Sequence, residues 1–254
     1  MRTPPVQWLI LFAVSFSATA QTRSSAYRAP RTSDGRPNLQ GIWEVRSTAN
    51  GNLEAHGGSL GIRAGESVIV DPPNGKIPYQ PWAVAKQQEN FKNRATADPV
   101  SKCFLPGVPR ITYMPFPFQI FQTPEFVAIT YEYAHASRTI HLKKAEHPDN
   151  IEFWMGDSRG HWEGDTLVVN VENHNADTWL DSSGNLHSEA MRVTERYTRT
   201  APDTLRYEAT IEDPKVFTRP WTIGVPLYRH VEKDAQLYEY ECHVYLEDVA
   251  AQGK

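Results

Sequence analysis

Short runs of alternating apolar and polar residues fill the second half of the chain, and this alternation limits the fold more than any other feature. Leu167, Val169 and Val171 share one side of such a run, and Leu205 and Tyr207 begin a matching side in a later one. Successive side chains of a β-strand point to opposite faces, so a period of two predicts strands with one buried face. Seven or more such runs predict an all-β protein, an antiparallel meander closing into a lipocalin-like barrel or a two-layer sandwich.

The first half of the chain contains fewer regular elements. Residues Leu39–Arg46 read as a strand, and Ser67–Val70 as a shorter one. The predicted short helix covers residues 81–94, since proline is favoured at the first helical position and good helix formers follow. Residues 103–117 contain four prolines, which excludes a central strand there. The last predicted strand is Leu237–Leu246, with Tyr238, Tyr240 and Cys242 on its inner face.

The N-terminus has the pattern of a signal peptide. Arg2 precedes the apolar stretch Val6–Phe16, and Ala18-Thr19-Ala20 is a small-x-small site, which predicts cleavage before Gln21. The alternative is a retained anchor, for which the apolar stretch is short. Residues 1–20 are therefore the predicted signal peptide, 21–37 a flexible lead-in and 38–254 a single domain. The mature protein is expected in the periplasm or outside the cell, with no membrane span after cleavage.

Composition narrows the class of partner. The net charge is −4 with acids and bases interspersed, so no basic stripe indicates nucleic acid. Aromatic residues make up 11% of the chain, and such residues line cores or pockets. A small apolar or aromatic ligand is the predicted partner, and the oligomeric state is left open.

The two cysteines, Cys103 and Cys242, lie far apart in the sequence. In an oxidising compartment the expected outcome is a disulfide between them. The alternative is a pair of buried, inert thiols. Their spacing is not that of a zinc site.

Glu195 is the residue that points most directly to chemistry. It shares a strand face with Met191, Val193 and Tyr197, so its carboxylate is expected on the core side. Arg138 carries the opposite charge, and it is likewise expected on the core side because it shares a strand face with Ile140. A buried carboxylate must be paired, protonated or facing a cavity. Three alternatives stay open: a structural ion pair, a ligand-facing acid or base with Arg138 beside it, or a register shifted by one residue.

Histidines supply further candidates among the nine in the chain. Either His135 or His187 is predicted to carry protons to and from Glu195, and both are catalytic candidates. His243 is included among the ligand-binding candidates, although the alternation places it on the outer face unless a bulge turns it inward. No cofactor is predicted, since dinucleotide, P-loop and haem motifs are missing from the sequence. A metal ion held by scattered histidines and a carboxylate is the alternative.

The segment from Trp154 to Thr166 combines three glycines with two tryptophans. Its structural interpretation is a hairpin that turns at Gly164-Asp165. Its functional interpretation is a binding rim, in which tryptophan rings cover an apolar ligand and polar side chains contact it. The predicted ligand-binding residues of the chain are Tyr131, Glu132, Trp154, Asp157, Ser158, Trp162, Tyr197 and His243.

Four stretches resemble a large, poorly characterised family of exported bacterial proteins. They are Arg31–Trp43, Gln119–Pro124, Trp154–Val169 (WMGDSRGHWEGDTLVV) and Tyr238–His243 (YEYECH), and they span nearly the whole mature chain. In that family an acidic residue and an asparagine typically follow the Cys-His pair, whereas Val244 and Tyr245 follow it here. The resemblance implies export but no particular activity. Gly41-x-Trp43 is also similar to the first strand of lipocalin-type barrels.

Two functions follow from these observations. The first is cofactor-independent acid–base catalysis of the lyase, isomerase or hydratase type, with Glu195 as the base and Arg138 stabilising negative charge. The second is a non-catalytic, lipocalin-like carrier with the same pocket. A metal-dependent oxygenase or hydrolase is the further alternative.

Overall fold

The computed structural model describes residues 27–59 and 62–244, which form ten strands and one long helix. The helix is Pro81–Ala97 (α1), and short 3-10 turns cover Pro99–Lys102, Arg110–Tyr113 and Tyr133–His135. The strands are Gly41–Val45 (β1), Ile69–Asp71 (β2), Phe118–Gln122 (β3), Phe126–Tyr131 (β4), Ser137–His141 (β5), Asp157–Glu163 (β6), Thr166–Glu172 (β7), Arg192–Ala201 (β8), Thr204–Glu212 (β9) and Trp221–Arg229 (β10).

Nine of these strands close into a lipocalin-like barrel in the order β1-β3-β4-β5-β6-β7-β8-β9-β10. Closure comes from β1, which pairs with β3 on one side and with β10 on the other; Trp43 lies opposite Arg229. The short β2 pairs with β10 as an additional strand. The predicted all-β barrel is therefore confirmed, and the sandwich alternative is replaced by a closed sheet.

One junction of the barrel departs from the predicted antiparallel meander. Strands β5 and β6 run parallel and share a single residue pair, His141 with Arg159. A parallel neighbour needs a crossover connection, and residues 142–156 supply it. Gly160 allows this approach, because a Cβ atom there would lie 2.6 Å from Cγ2 of Ile140. The barrel is thus mixed, which the alternation alone does not reveal.

The barrel interior is filled by side chains from the predicted inward faces. In the register of β8 with β9, Val193 lies opposite Ile211 and Tyr197 opposite Tyr207, and all four are buried. Trp43 and Trp221 are also completely buried. These side chains belong to one cluster of buried hydrophobic residues, and such interiors have few voids larger than a water molecule. The barrel therefore has a core where the sequence suggested a ligand cavity.

The helix prediction is confirmed, and the last strand prediction is wrong. Helix α1 begins at Pro81, as predicted, and continues three residues past Arg94. In contrast, residues 237–241 lie outside the sheet. Tyr238 is 69% exposed, while the ring of Tyr240 packs on Phe116, with the ring centroids 4.7 Å apart. An alternating sequence without a neighbouring strand to pair with does not form a ladder.

The described part of the N-terminal lead-in is held against the barrel. The guanidinium of Arg31 donates two hydrogen bonds of 2.8 and 2.9 Å to the carboxylate of Asp165, in the β6–β7 turn. That turn joins Glu163 to Thr166, which confirms the predicted hairpin. The predicted signal peptide, residues 1–20, lies outside the described residues. Among the residues that are described, the helices are too short or too polar to cross a bilayer.

The predicted disulfide between Cys103 and Cys242 is present, with Cα atoms 5.6 Å apart. It closes a loop between cysteines separated by 139 positions in the sequence. It also ties the segment after β10 to the 3-10 turn Pro99–Lys102. The disulfide therefore gives the C-terminal segment an attachment that the sheet does not provide.

We predict that the double variant Cys103→Ser/Cys242→Ser is less stable than the wild type by about 3–5 kcal/mol, because the cross-link restricts the unfolded chain. Urea unfolding monitored by tryptophan fluorescence measures this difference. Dithiothreitol serves as the control, since it should destabilise the wild type and leave the double variant unchanged. Equal stabilities of variant and wild type would contradict a structural role for the disulfide.

Candidate functional site

Glu195 and Arg138 meet in the barrel interior, as the inward faces of their strands predict. Glu195 lies on β8 and Arg138 on β5, and their side chains are 0% and 2% exposed. Arg138 Nη1 donates to Glu195 Oε1 at 3.2 Å, and Nη2 makes a close contact with Oε2. Arg138 Nε also donates to the hydroxyl of Ser158 at 2.8 Å. The guanidinium is thereby bonded on all three of its nitrogens.

Two tyrosines complete this interior network. The hydroxyls of Tyr197 and Tyr207 donate to Glu195 Oε1 at 3.0 and 2.8 Å. Burial, and then the nearby carboxylate, raise the pKa of both tyrosines well above the usual value, so both remain donors. Burial likewise raises the pKa of Tyr131 to about 12. A carboxylate with these partners is satisfied without a ligand, which favours the structural alternative for the Glu195–Arg138 pair.

We predict that Glu195→Gln destabilises the protein by about 3–5 kcal/mol, because the charge of Arg138 is then buried without a counter-charge. The matched control is Glu208→Gln on neighbouring β9, where the side chain is partly exposed and bonds Arg206. That control should change stability by less than about 1 kcal/mol. Chemical denaturation of the three proteins decides the matter, and a Glu195→Gln variant as stable as the control would rule out the structural role.

Other residues predicted for the binding rim have separate partners. Asp157 accepts hydrogen bonds from His147 Nδ1 at 2.6 Å and Arg159 Nε at 2.7 Å, on the outer side of β6. Ser158 points inward to Arg138. Trp162 is half-buried and packs against the barrel core. Of the rim predicted from Trp154 to Thr166, only Trp154 reaches the cleft described below.

The predicted residues His135, Glu132 and His243 lie near the C-terminal segment, away from Glu195. Glu132 accepts a hydrogen bond from the backbone N–H of Tyr238 at 2.8 Å. His135 is exposed and its Nε2 lies 2.8 Å from Glu241 Oε1. His243 is exposed as well. The structure therefore does not bring His135 together with the acid it was predicted to serve.

Within the described residues, one group could hold a metal ion. Ligand atoms of His135, Glu239 and Glu241 lie within 4.8 Å of one another, and all three side chains are exposed. Imidazole and carboxylate ligands suit several divalent metals. Because solvent reaches all three, an ion there would compete with water and with the His135–Glu241 hydrogen bond. The metal alternative therefore stays a hypothesis.

A cleft of about 440 Å³ lies beside α1, and we call it the end cleft. One wall comes from α1 and the segment that follows it, and its lining residues are Lys86, Asn90, Ala97, Pro99, Lys102 and Phe104. Asp98 fixes this wall, since its carboxylate accepts two hydrogen bonds of 2.8 and 2.7 Å from buried Arg110. Arg110 Nη2 also donates to Ser182 Oγ at 2.8 Å, which joins the wall to the loop before β8.

The opposite wall comes from the loops before β6 and β8, and its lining residues are Trp154, Ala176, Asp177, Trp179, Leu186 and His187. The rings of Phe104 and Trp154 stack in parallel, with centroids 4.9 Å apart and planes inclined by 1°. Asn90 Nδ2 donates to the carbonyl of Gly184 at 3.2 Å, which holds the two walls together. The end cleft thus has aromatic surfaces, and its size suits a small organic ligand.

His187 is the predicted catalytic residue that does line the end cleft. Its Nδ1 lies 2.9 Å from the carbonyl oxygen of Ser188, so Nδ1 carries the hydrogen and donates. Its Nε2 lies 2.6 Å from the hydroxyl of Thr178, which donates to it. Burial lowers the pKa of His187. The ring is therefore neutral near pH 7, with its accepting nitrogen on the Thr178 side.

A buried carboxylate holds the residue that orients His187. Asp213 is 1% exposed and accepts hydrogen bonds from Ser188 N at 2.6 Å and Ser188 Oγ at 3.0 Å. The carbonyl of Ser188 is thereby fixed where it accepts from His187 Nδ1. The charge of Asp213 also acts to raise the pKa of His187, against the larger effect of burial. Asp213 therefore supports a proton on His187 through one intervening residue.

A second histidine, His174, packs against His187 with the ring centroids 5.9 Å apart. It is completely buried, and its Nδ1 has no hydrogen-bond partner among the described residues. Burial, followed by the neighbouring His187, lowers the pKa of His174 to about 3. His174 is therefore an uncharged ring that supports the floor beside His187.

Several residues of the end cleft were not predicted from the sequence. Asp177 and Trp179 belong to a polar loop without period-two alternation, where Asp181–Asn185 reads only as a turn. Thr178, which bonds His187, lies in the same loop. One signal was available, namely a tryptophan within a run of polar residues, because an exposed loop with a large aromatic side chain indicates binding. Lys86 and Lys102 give no such signal, because their position depends on how α1 packs.

A second cleft, of about 520 Å³, lies on the outer face of β9 and β10. Arg206 and Glu208 line it and bond each other, and Thr200 and Thr204 supply its other polar groups. Its lining contains neither a histidine nor an aromatic ring. The end cleft is therefore the better candidate for chemistry.

No protein-family model and no curated protein matches the chain. The resemblance of the four stretches to exported bacterial proteins accordingly stays a prediction.

We predict that His174 makes stability depend on pH. A histidine whose pKa is lower when folded binds fewer protons in the folded state, so its contribution is complete above about pH 6.5 and is lost as pH falls towards 3. Between pH 6.5 and 4.5 the wild type should lose about 2–3 kcal/mol more than His174→Leu, at about 1.4 kcal/mol per pH unit. Urea unfolding at several pH values measures how the free energy of unfolding depends on pH in the wild type and in His174→Leu.

Asp181 acts in the opposite direction, since burial raises its pKa to about 6 and its contribution falls as pH rises through that range. It is present in both proteins, so the difference between them isolates His174. His161→Leu, at an exposed histidine on β6, should keep the wild-type slope. Parallel curves for wild type and His174→Leu would show that His174 is not buried as a neutral ring.

Proposed function

We propose that this protein binds a small apolar or aromatic molecule in the end cleft and converts it by cofactor-independent acid–base chemistry, with His187 as the proton acceptor. The observation that carries this proposal is a neutral imidazole, oriented through Nδ1, in the lining of an aromatic cleft. A neutral base close to its substrate can remove a proton in a lyase, isomerase or hydratase reaction.

The hydrogen bonds around His187 permit the proton to be held. Thr178 Oγ1 lies 2.6 Å from Nε2 and 3.3 Å from the carbonyl oxygen of Asn175. Because the Thr178 hydroxyl occupies Nε2, a substrate proton reaches His187 through it: Oγ1 takes the proton of the substrate as it gives its own hydrogen to Nε2. The hydroxyl then turns its new hydrogen to Asn175 and accepts from Nε2. The negative charge of Asp213 stabilises the resulting imidazolium through Ser188. In this proposal the Glu195–Arg138 pair keeps the barrel folded and does not contact the substrate.

We further propose that the mature protein works in the periplasm or outside the cell. The signal-peptide pattern of residues 1–20 supports export. The disulfide supports it as well, because disulfides persist in oxidising compartments.

A non-catalytic carrier is the second candidate, and one observation favours it. Thr178 and His187 are 2% and 5% exposed, and each already bonds the other. A satisfied, covered pair can serve as the floor of a binding site without exchanging protons. The two candidates differ in the ligand that leaves the protein, since a carrier releases it unchanged.

We predict that the wild type converts a small molecule whose turnover His187→Asn strongly reduces, because His187 is the one imidazole in the lining of the end cleft among the described residues. The purified protein is first incubated with a bacterial small-molecule extract, and mass spectrometry identifies compounds that bind or change mass. Turnover of the compound found is then compared between variants.

The matched control is His135→Asn, which changes an exposed histidine away from the end cleft and should keep full turnover. If a ligand binds the wild type and is recovered unchanged, the carrier hypothesis would replace the enzyme hypothesis. Loss of turnover in both variants would contradict the specific role of His187 as the proton acceptor.

A further inference from the structure

We infer that the end cleft selects a planar aromatic molecule that carries a negative charge, and that Lys102 is the residue that selects for the charge. This inference rests on the proposed use of the end cleft and goes further by naming the class of ligand and the group that recognises it.

The aromatic preference follows from the Phe104–Trp154 stack. The two rings are parallel, and Phe104 is 47% exposed although it is already stacked. A third flat ring can lie against the open surface of this pair or on Trp179, which lines the same cleft. Stacking of aromatic rings contributes about 0.5–1.5 kcal/mol beyond the area buried.

The stack is held in place before a ligand arrives. Cys103, which precedes Phe104, is joined to Cys242 by the disulfide. The hydroxyl of Tyr133 lies 3.3 Å from the carbonyl of Val100 and 3.4 Å from that of Phe104. A surface that is already ordered loses little entropy on binding, so a flat ligand is favoured over a flexible one.

The charge preference follows from the ionic groups of the lining. The whole chain has a net charge of −4, whereas the end cleft is lined by two lysines and one acid, Asp177. Lys86 is already paired, since its Nζ lies 3.1 Å from Glu89 Oε2. Lys102 forms no ion pair in the described part of the chain, where the paired lysines are Lys76, Lys86, Lys143 and Lys215. An ammonium group that has no carboxylate partner is available to pair with an anionic ligand.

The position of Lys102 makes it suited to recognise a carboxylate on an aromatic ring. It lies two residues before Phe104, and both residues line the end cleft. A flat ligand on the Phe104–Trp154 stack therefore places an acidic substituent within reach of a flexible ammonium group. The neutral ring of His187 on the opposite wall does not compete for the anion.

The test is isothermal titration calorimetry with three probes: 2-naphthoate, its neutral isostere 2-naphthamide, and the saturated analogue decahydronaphthalene-2-carboxylate. We expect 2-naphthoate to bind at least fivefold tighter than either of the others. Lys102→Gln should weaken 2-naphthoate about fivefold, the range of an exposed ion pair, and leave 2-naphthamide unchanged. Raising the salt concentration should weaken only the two acids.

The matched control is Lys92→Gln. Lys92 is on α1, lines a different cleft and also forms no ion pair in the described part of the chain, so its loss should change neither probe. Equal affinities for acid and amide, or tighter binding of 2-naphthylmethylammonium, would overturn the charge selection while leaving the proposed site intact. Tight binding of the saturated acid would overturn the aromatic selection. Failure of every probe to bind would overturn both this inference and the proposed binding of small aromatic molecules.

Discussion

The ion pair of Arg138 and Glu195 is the interaction on which the barrel interior depends. It spans the barrel from β5 to β8, and Ser158, Tyr197 and Tyr207 occupy its remaining hydrogen-bonding positions. A buried charge that loses its partner is strongly destabilising, so a ligand could enter the barrel only by displacing these contacts at high cost. The interactions in the middle of the barrel therefore stabilise the fold. The proposed ligand therefore binds at the surface, where loops and α1 cover the strands.

The end cleft exists because polar contacts join segments that are distant in the sequence. Arg110 connects Asp98, after α1, with Ser182, in the loop before β8. Asp213, after β9, fixes Ser188 and through it the ring of His187. Each of these carboxylates is buried and accepts hydrogen bonds on both oxygens, so satisfied polar networks hold the walls of the cleft in place.

The sequence predicts the framework better than the site, for a physical reason. Strand faces follow from a local period, so the inward positions of Glu195 and Arg138 could be read directly, and so could the hairpin at Gly164-Asp165. Pairing between strands is not local, which is why the parallel contact of β5 with β6 was missed. The segment at Tyr238–Cys242 alternates like a strand yet is anchored by a disulfide instead of a ladder. The cleft depends on packing of loops without periodicity, so of its lining only Trp154 and His187 were predicted.

The junction of β5 and β6 is the shortest strand pairing in the closed ring of the barrel. Every other neighbouring pair in the closed ring shares a ladder of three or more residues, whereas these two strands share His141 with Arg159 alone. Main-chain amides along the two strands therefore lack the mutual protection found elsewhere in the ring, and we expect local opening of the barrel wall to begin there. A parted seam exposes an edge that another extended peptide could join by main-chain hydrogen bonds. Gly160 keeps the two strands close at this seam, and any side chain at that position would wedge them apart.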